Sequence, residues 1–152
     1  MKLLNLPSFD FKTKVELEKT FIFDEVRKKY IVLTPEEWVR QNFIRYLIKH
    51  LQYPASLMNI EGGLKLNGNT YRADLVVYNK KAEPLLLVEF KAPHIKITQD
   101  TFNQIARYNM IYRVPFLIVS NGLQHYCCKV GFTENNYDFL QEIPPFGSIC
   151  FD

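Results

Sequence analysis

Arg72-Ala73-Asp74-Leu75-Val76-Val77 and, eleven residues on, Val88-Glu89-Phe90-Lys91-Ala92-Pro93 are the stretches whose reading decides the fold. Each is an apolar run interrupted by ionisable side chains. An ionised Glu and Lys in a run otherwise made of Leu85, Leu86, Leu87, Val88 and Phe90 are too costly to bury unless something pairs them. Side chains alternate along a strand, so Glu89 and Lys91 share a face. If the loop Asn79-Lys80-Lys81-Ala82-Glu83-Pro84 closes with Tyr78 opposite Leu85, Asp74 falls directly across from Glu89. Their β-carbons then lie about 4.5–5.5 Å apart, where like charges destabilise a sheet. A hard divalent cation with oxygen ligands resolves that repulsion, Mg²⁺ before others, with Mn²⁺ expected to substitute. Lys91 on the same face can orient the attacking water or stabilise charge developing on a phosphate. The competing account is an ion pair at the sheet margin with Asp74 solvated.

Outward from this pair, the chain reads as an alternation of periods. Before it, Thr34-Pro35-Glu36-Glu37 carries a threonine N-cap, proline at the first helical position and glutamate at the third, the pattern of a capping box. Val39, Phe43, Ile44, Leu47, Ile48 and Leu51 follow at helical spacing, with Arg40, Arg45 and Lys49 outside the stripe, and the helix ends before Pro54. Leu57 to Leu66, a turn at Asn67-Gly68-Asn69, Tyr71 to Tyr78 and Leu85 to Phe90 read as three antiparallel strands joined by hairpins. Thr98 to Tyr112 has Phe102, Ile105, Ala106, Asn109 and Tyr112 at helical spacing. Two further β-like runs, Val114 to Ser120 and Gln124 to Val130, are split by Asn121-Gly122. The tail beyond Gly131 is expected to be an irregular docked end with one short helix. Residues 1–33 form an aromatic and basic arm with a β-hairpin from Thr20 to Leu33, and 34–152 a single domain on which the arm packs. The arm's Lys12, Lys14, Lys19, Arg27, Lys28 and Lys29 suit nucleic acid, but a strand covering a sheet edge is the favoured role.

Composition sets outer limits. The chain has 152 residues and 18.0 kDa, 47% hydrophobic and 23% charged, which is one domain with a core rather than a disordered segment. A net charge of +3 and a pI near 8.7 permit a nucleic-acid partner without requiring one. Three cysteines, two of them the adjacent Cys127 and Cys128 and the third Cys150, form no CxxC pair and no even disulfide framework. A zinc site is disfavoured, and the cysteines are assigned no chemistry. The apolar run at Leu3-Leu4 is too short for a signal peptide and no run is long enough to span a bilayer, so the expectation is a soluble, cytoplasmic protein. A GxxxxGK[ST] loop is missing, which excludes a P-loop NTPase.

Asp74 followed by Glu89-Phe90-Lys91 resembles the PD-(D/E)xK nuclease signature. The wider text, with Gln104-Ile105-Ala106-Arg107-Tyr108-Asn109 downstream, resembles the N-terminal nuclease domain of type I restriction enzyme R subunits, over about Thr34 to Gly122. Ala73 stands where the signature's name has proline, and translocation by a helicase motor is not expected of these 152 residues. The resemblance implies an α/β (α+β) fold, a restriction-endonuclease-like αβββαβ core with a mixed central sheet flanked by helices. It implies Asp74 and Glu89 as Mg²⁺ ligands with the Phe90 carbonyl a further one, Lys91 serving the water, and Gln104 with Tyr108 ordering the lysine, the metal site or the DNA. The expected function is Mg²⁺-dependent endonucleolytic hydrolysis of DNA; the alternative is a non-catalytic DNA-binding or partner-binding module that retains the fold. Compatible partners are DNA, subunits of a restriction system and a second copy of the chain, without a membrane.

Similar nucleases often add an acid from the first helix. Glu36 is preferred, because it falls on the apolar stripe three before Val39 while Glu37 at N3 closes on Thr34; the alternative is that both only favour the helix dipole. Arg107 and Arg113 suit a phosphate contact but read first as solvated, and His50, His94 and His125 are not assigned to catalysis. The expected electrostatic layout is acid around Asp74, Glu89 and Glu36 within a basic rim that includes Lys91 and Arg107.

Overall fold

A computed structural model describes residues 1–66, 68–131 and 136–149, excepting the side chains of 64–66, 69, 71, 108, 110–112 and 136. The arm folds into a sheet of its own. Strands β1 (Thr13–Glu16), β2 (Lys19–Asp24) and β3 (Lys29–Val32) form an antiparallel sheet separate from the main one, so the arm does not cover a sheet edge as expected. Two tight reversals account for this, with Leu17, Glu18 and Lys28 all at positive φ. Ahead of the sheet, Leu4 and Leu6 pack on the core, and the Asn5 amide donates to the Gly122 carbonyl at 2.8 Å.

Helix α1 (Pro35–Lys49) begins where the cap signature placed it, with Thr34 Oγ1 accepting from the Glu37 amide at 3.0 Å. The reciprocal half of the capping box is absent: the Glu37 carboxylate turns inward to Arg40 and Gln41. Val39, Phe43, Ile44 and Leu47 are buried as the spacing requires. Arg40, expected outside the stripe, is buried as well, because carboxylates meet it there.

The strands after α1 are shorter and more numerous than the sequence suggests. In place of two long strands there are β4 (Met58–Ile60), β5 (Gly63–Leu66), β6 (Asn69–Arg72) and β7 (Leu75–Tyr78). The first break falls at Glu61, whose φ is +56°, followed by Gly62, where a β-carbon would lie 2.5 Å from Asn59 Nδ2. The second falls at Ala73-Asp74, and β5 with β6 becomes a separate ribbon. Strand β8 (Pro84–Phe90) pairs antiparallel with β7 as Leu75↔Val88, Val76↔Leu87 and Val77↔Leu86, the expected register. At the loop end Tyr78 faces Pro84 rather than Leu85. Asn79 closes the loop by accepting from the Lys81 and Glu83 amides, and Leu85 becomes the extra residue of a bulge. Leu85 and Leu86 consequently enter the same core cluster.

Helix α2 (Gln99–Tyr112), capped by Thr98, crosses over to β9 (Phe116–Ser120), which pairs parallel with β8. Strand β10 (His125–Gly131) returns antiparallel, and β11 (Asn136–Leu140) adds an edge where the tail was expected to be irregular. The main sheet runs β11-β10-β9-β8-β7-β4, a mixed sheet of six strands. Its faces carry two cores, one beneath α1 built on Phe43, Val88, Phe90 and Ile118, the other beneath α2 built on Val76, Leu87, Phe102 and Leu117. The expected short helix is α3 (Phe146–Ile149), whose Phe146 packs on Tyr53.

Candidate active site

Beyond the last β7–β8 pair, Leu75↔Val88, the chain places Asp74 beside Glu89. The position is held from both sides. The Asp74 carbonyl accepts from the Glu61 amide at 2.9 Å, continuing the β4 pairing, while Asp74 Oδ2 accepts from the Phe90 amide at 2.8 Å, tying the carboxylate to β8 at the Glu89-Phe90 peptide. Lys91 follows, its amide donating to the Ser120 carbonyl at 2.9 Å. Strand alternation from Leu87, which belongs to the α2-side core, puts Glu89 and Lys91 on that face, and both are half-buried. Phe90 points the other way and packs edge-on against Phe43 at 5.5 Å, which pins the strand carrying both charges to α1.

Helix α1 brings its first turn to the same end of the sheet. Glu36 reaches solvent, yet partial burial and the negative charge of Asp74 push its carboxyl above the ordinary carboxylate range, against the pull of Arg40 and Lys91. The structure therefore gathers Asp74, Lys91 and Glu36 into one electrostatic neighbourhood. The expectation that Glu36 lies on the inward stripe is not met: Glu36 is exposed, and its neighbour Glu37 is the buried one. It is the helix end, not the stripe, that brings Glu36 into the field of Asp74.

Beneath this end lies a polar network that periodicity does not reveal. Arg40 donates to Glu37 at 2.6 and 3.0 Å and to Glu61 at 3.2 Å, and Glu61 also meets Arg72 at 2.9 Å and Arg27 at 3.9 Å. Gln41 bridges Glu37 and Asp24, and Arg27 binds Asp24 at 2.7 Å. Burial opposes charge on Arg40, but Glu37 outweighs it, with Asp74 and Glu61 adding, and the guanidinium's pKa is raised. For Glu37, burial pushes upward and the bonds from Arg40 and Gln41 pull harder, holding the carboxyl below its usual value. The only sequence signal for this network is the i, i+3 spacing of Glu37 and Arg40; Glu61 comes from a different element and has none.

The remaining expected site residues are spread more widely. Gln104 is exposed on α2, away from the buried Phe102, Ile105, Ala106 and Asn109, and bonds to no described residue. The Tyr108 side chain lies outside the described residues. Arg107 is exposed, with Nε 3.5 Å from the Asn103 carbonyl of its own helix. Cys127 and Cys128 are free and buried, and burial pushes both thiols up to about 12, as inert apolar residues should be; Cys150 lies outside the described residues. His125 links two parts of the chain: Nδ1 meets Ser120 Oγ at 2.7 Å and Nε2 meets the Asn5 carbonyl at 2.9 Å.

No three His, Cys, Asp or Glu side chains among the described residues are grouped to hold a metal by themselves. The acids at this sheet end that could hold a cation are Asp74 and Glu89. No helix among the described residues is long and apolar enough to cross a membrane.

Comparison with known proteins agrees with this architecture. A solved fragment described as an HsdR subunit of a type I restriction enzyme from Vibrio vulnificus YJ016 superposes with a TM-score of 0.54 at 18% identity, over 77% of this chain and 24% of that one. The chain thus spans about a quarter of that relative, and the likeness is one of fold. No curated protein matches it. The family model for the type I restriction enzyme R protein N terminus matches residues 35–144, from the first residue of α1 to just before α3. A restriction-nuclease-like domain is what sheet, helices and match together describe, and the chain belongs to the type I restriction enzyme R protein N terminus family.

Proposed function

We propose that this domain is a Mg²⁺-dependent DNA endonuclease, cleaving phosphodiester bonds at the end of β7 and β8. The observation that carries the reading is the seating of Asp74 on the Phe90 amide, which puts its carboxylate at the Glu89-Phe90 peptide, two residues from Lys91, with Glu36 in its field. Asp74, Glu89 and the Phe90 carbonyl would hold the ion. Bound there, Mg²⁺ would supply Lewis-acid polarisation of a phosphate oxygen and a more acidic water. Lys91 orients that water or meets the charge developing on the phosphate. Glu36, whose proton is held more tightly than usual, adds an outer-sphere acceptor for water once a cation offsets Asp74. The half of the Asp74 carboxylate not engaged by Phe90 is the half available to a ligand. Gln104 has the exposure of a residue that meets DNA rather than one that holds the lysine; Tyr108 enters through the resemblance alone. Restriction-system subunits are the expected partners of a nuclease domain in this family.

Conversion of supercoiled plasmid to nicked circle, with Mg²⁺ or Mn²⁺ and with EDTA, tests the assignment. The expected outcome is metal-dependent nicking that falls at least a hundredfold in Asp74→Asn and in Lys91→Ala. Asp74→Asn keeps an oxygen to accept from Phe90, so its fold should be intact by circular dichroism. Undiminished cleavage in either variant would sink the assignment.

A further inference from the structure

We propose that the outer face of the β1–β3 sheet binds single-stranded nucleic acid by stacking its bases on aromatic rings between lysines; that the strand is DNA rather than RNA rests on the nuclease reading above. The register sorts this sheet into two unlike faces. Ile22 and Asp24 point inward, both buried, and Asp24 bonds to Gln41 of α1. The alternate positions Lys14, Lys19, Phe21, Phe23, Tyr30 and Val32 point outward. Across the strands they form mixed rows. Lys14 lies opposite Phe21, which lies opposite Val32, and Lys12, whose carbonyl accepts from the Phe23 amide, adjoins Phe23 opposite Tyr30.

Two of the lysines, Lys12 and Lys14, stand over rings of this face. The Lys14 ammonium stands 4.4 Å from the centre of the Tyr30 ring and 5.9 Å from that of Phe21, and the Lys12 ammonium 5.8 Å from that of Phe23. Phe23 and Tyr30 meet edge to face at 5.1 Å. Tyr30 and Val32 remain 38% and 41% exposed, an apolar surface that the fold leaves open. The one acid on the face, Glu16, is already met by Lys14 at 3.5 Å, which leaves Lys12 and Lys19 as unneutralised charge. Rings carrying ammonium groups suit a ligand that brings flat π-faces and phosphates together. An acidic peptide would satisfy the lysines and leave the rings idle, and a duplex keeps its base faces stacked inside.

Fluorescence anisotropy of labelled 20-mers on the full chain in EDTA tests this without any contribution from a metal site. The expected result is binding of oligo-dT, about tenfold weaker for an abasic strand of equal charge, for a duplex, and for Tyr30→Ala, with Tyr30→Phe restoring it. Lys12→Gln with Lys19→Gln should lower the salt dependence of binding by about 1.4 in log–log slope. Asp74→Asn should bind like the natural chain, so loss of cleavage and loss of strand binding separate. Equal affinity for the abasic strand, tighter binding of duplex, oligo-rU or poly-glutamate, or an unchanged slope would overturn the proposal.

Discussion

Two neighbouring glutamates show how much a single residue's setting decides. Glu37 is 4% exposed and takes bonds from Arg40 and Gln41, while Glu36 stands at the surface in the field of Asp74. Removing Glu37 leaves a buried guanidinium without its main partner, so Glu37→Ala should cost about 3–5 kcal/mol in urea unfolding. Glu36→Gln removes a charge that the folded state disfavours; its stability should stay within about 0.5 kcal/mol of the natural chain or rise. If Glu36 serves the metal site, the same change should weaken Mn²⁺ binding in calorimetry. The placing of Asp74, Glu89 and Lys91 at one end of the sheet was legible in sequence because strands of Leu and Val make a charge conspicuous. Glu37 was misread, since a glutamate at N3 normally closes on its cap and here a buried arginine competes for it more strongly.

At the scale of elements, local signals placed the helices and misjudged the strands. Thr34 caps its helix as the pattern requires, and Thr98 caps α2 in the same way, each accepting from the amide three residues on. The breaks at Glu61 and at Ala73-Asp74 carry no comparable signature, because a glutamate at positive φ is a conformation imposed by its surroundings. Gly122 does carry one. Its φ is +85°, and a β-carbon there would lie 2.7 Å from Leu4 Cδ2 and 3.1 Å from Val39 Cγ2. Gly122→Ala should therefore destabilise by about 1–3 kcal/mol, and adding Leu4→Ala should recover the part due to crowding but not the part due to φ. Thermal or urea unfolding of the single and double variants measures the split.

For the whole molecule, the hairpin sheet and the core are joined by charged groups as well as by packing. Asp24 is buried, which pushes its carboxyl up, but the Arg27 amide and side chain and Gln41 outweigh this and hold it below its usual value; Glu37 behaves alike. A folded pKa below the unfolded one stabilises above the unfolded value near 4 and is lost as pH falls through the folded value. His125 acts earlier on the same descent: burial lowers its pKa despite the bond to Asn5, so its contribution is complete above about 6.5 and declines below it. Acidification should loosen the N-terminal segment first, near Asn5 and Gly122, and next the β1–β3 sheet. Hydrogen exchange at pH 7, 5 and 3.5 should show amides of residues 5 and 21–32 losing protection before those of β8 and β9. Simultaneous loss throughout would contradict that order.

Alternating apolar runs, the Thr34 cap and acids set in hydrophobic strands pointed, without any coordinates, to an αβββαβ core with Asp74, Glu89 and Lys91 at one sheet end. Those signals are local, set by period and by the cost of burying charge, and they survive in any context. Tertiary structure decided the rest: the split of two strands into four, the bulge at Leu85, the added edge β11, and the burial of Arg40 between Glu37 and Glu61. It also decided that the arm would stand as its own sheet with an aromatic and basic face outward. Each depends on partners distant in sequence, whose geometry and electrostatics exist only once the elements have packed.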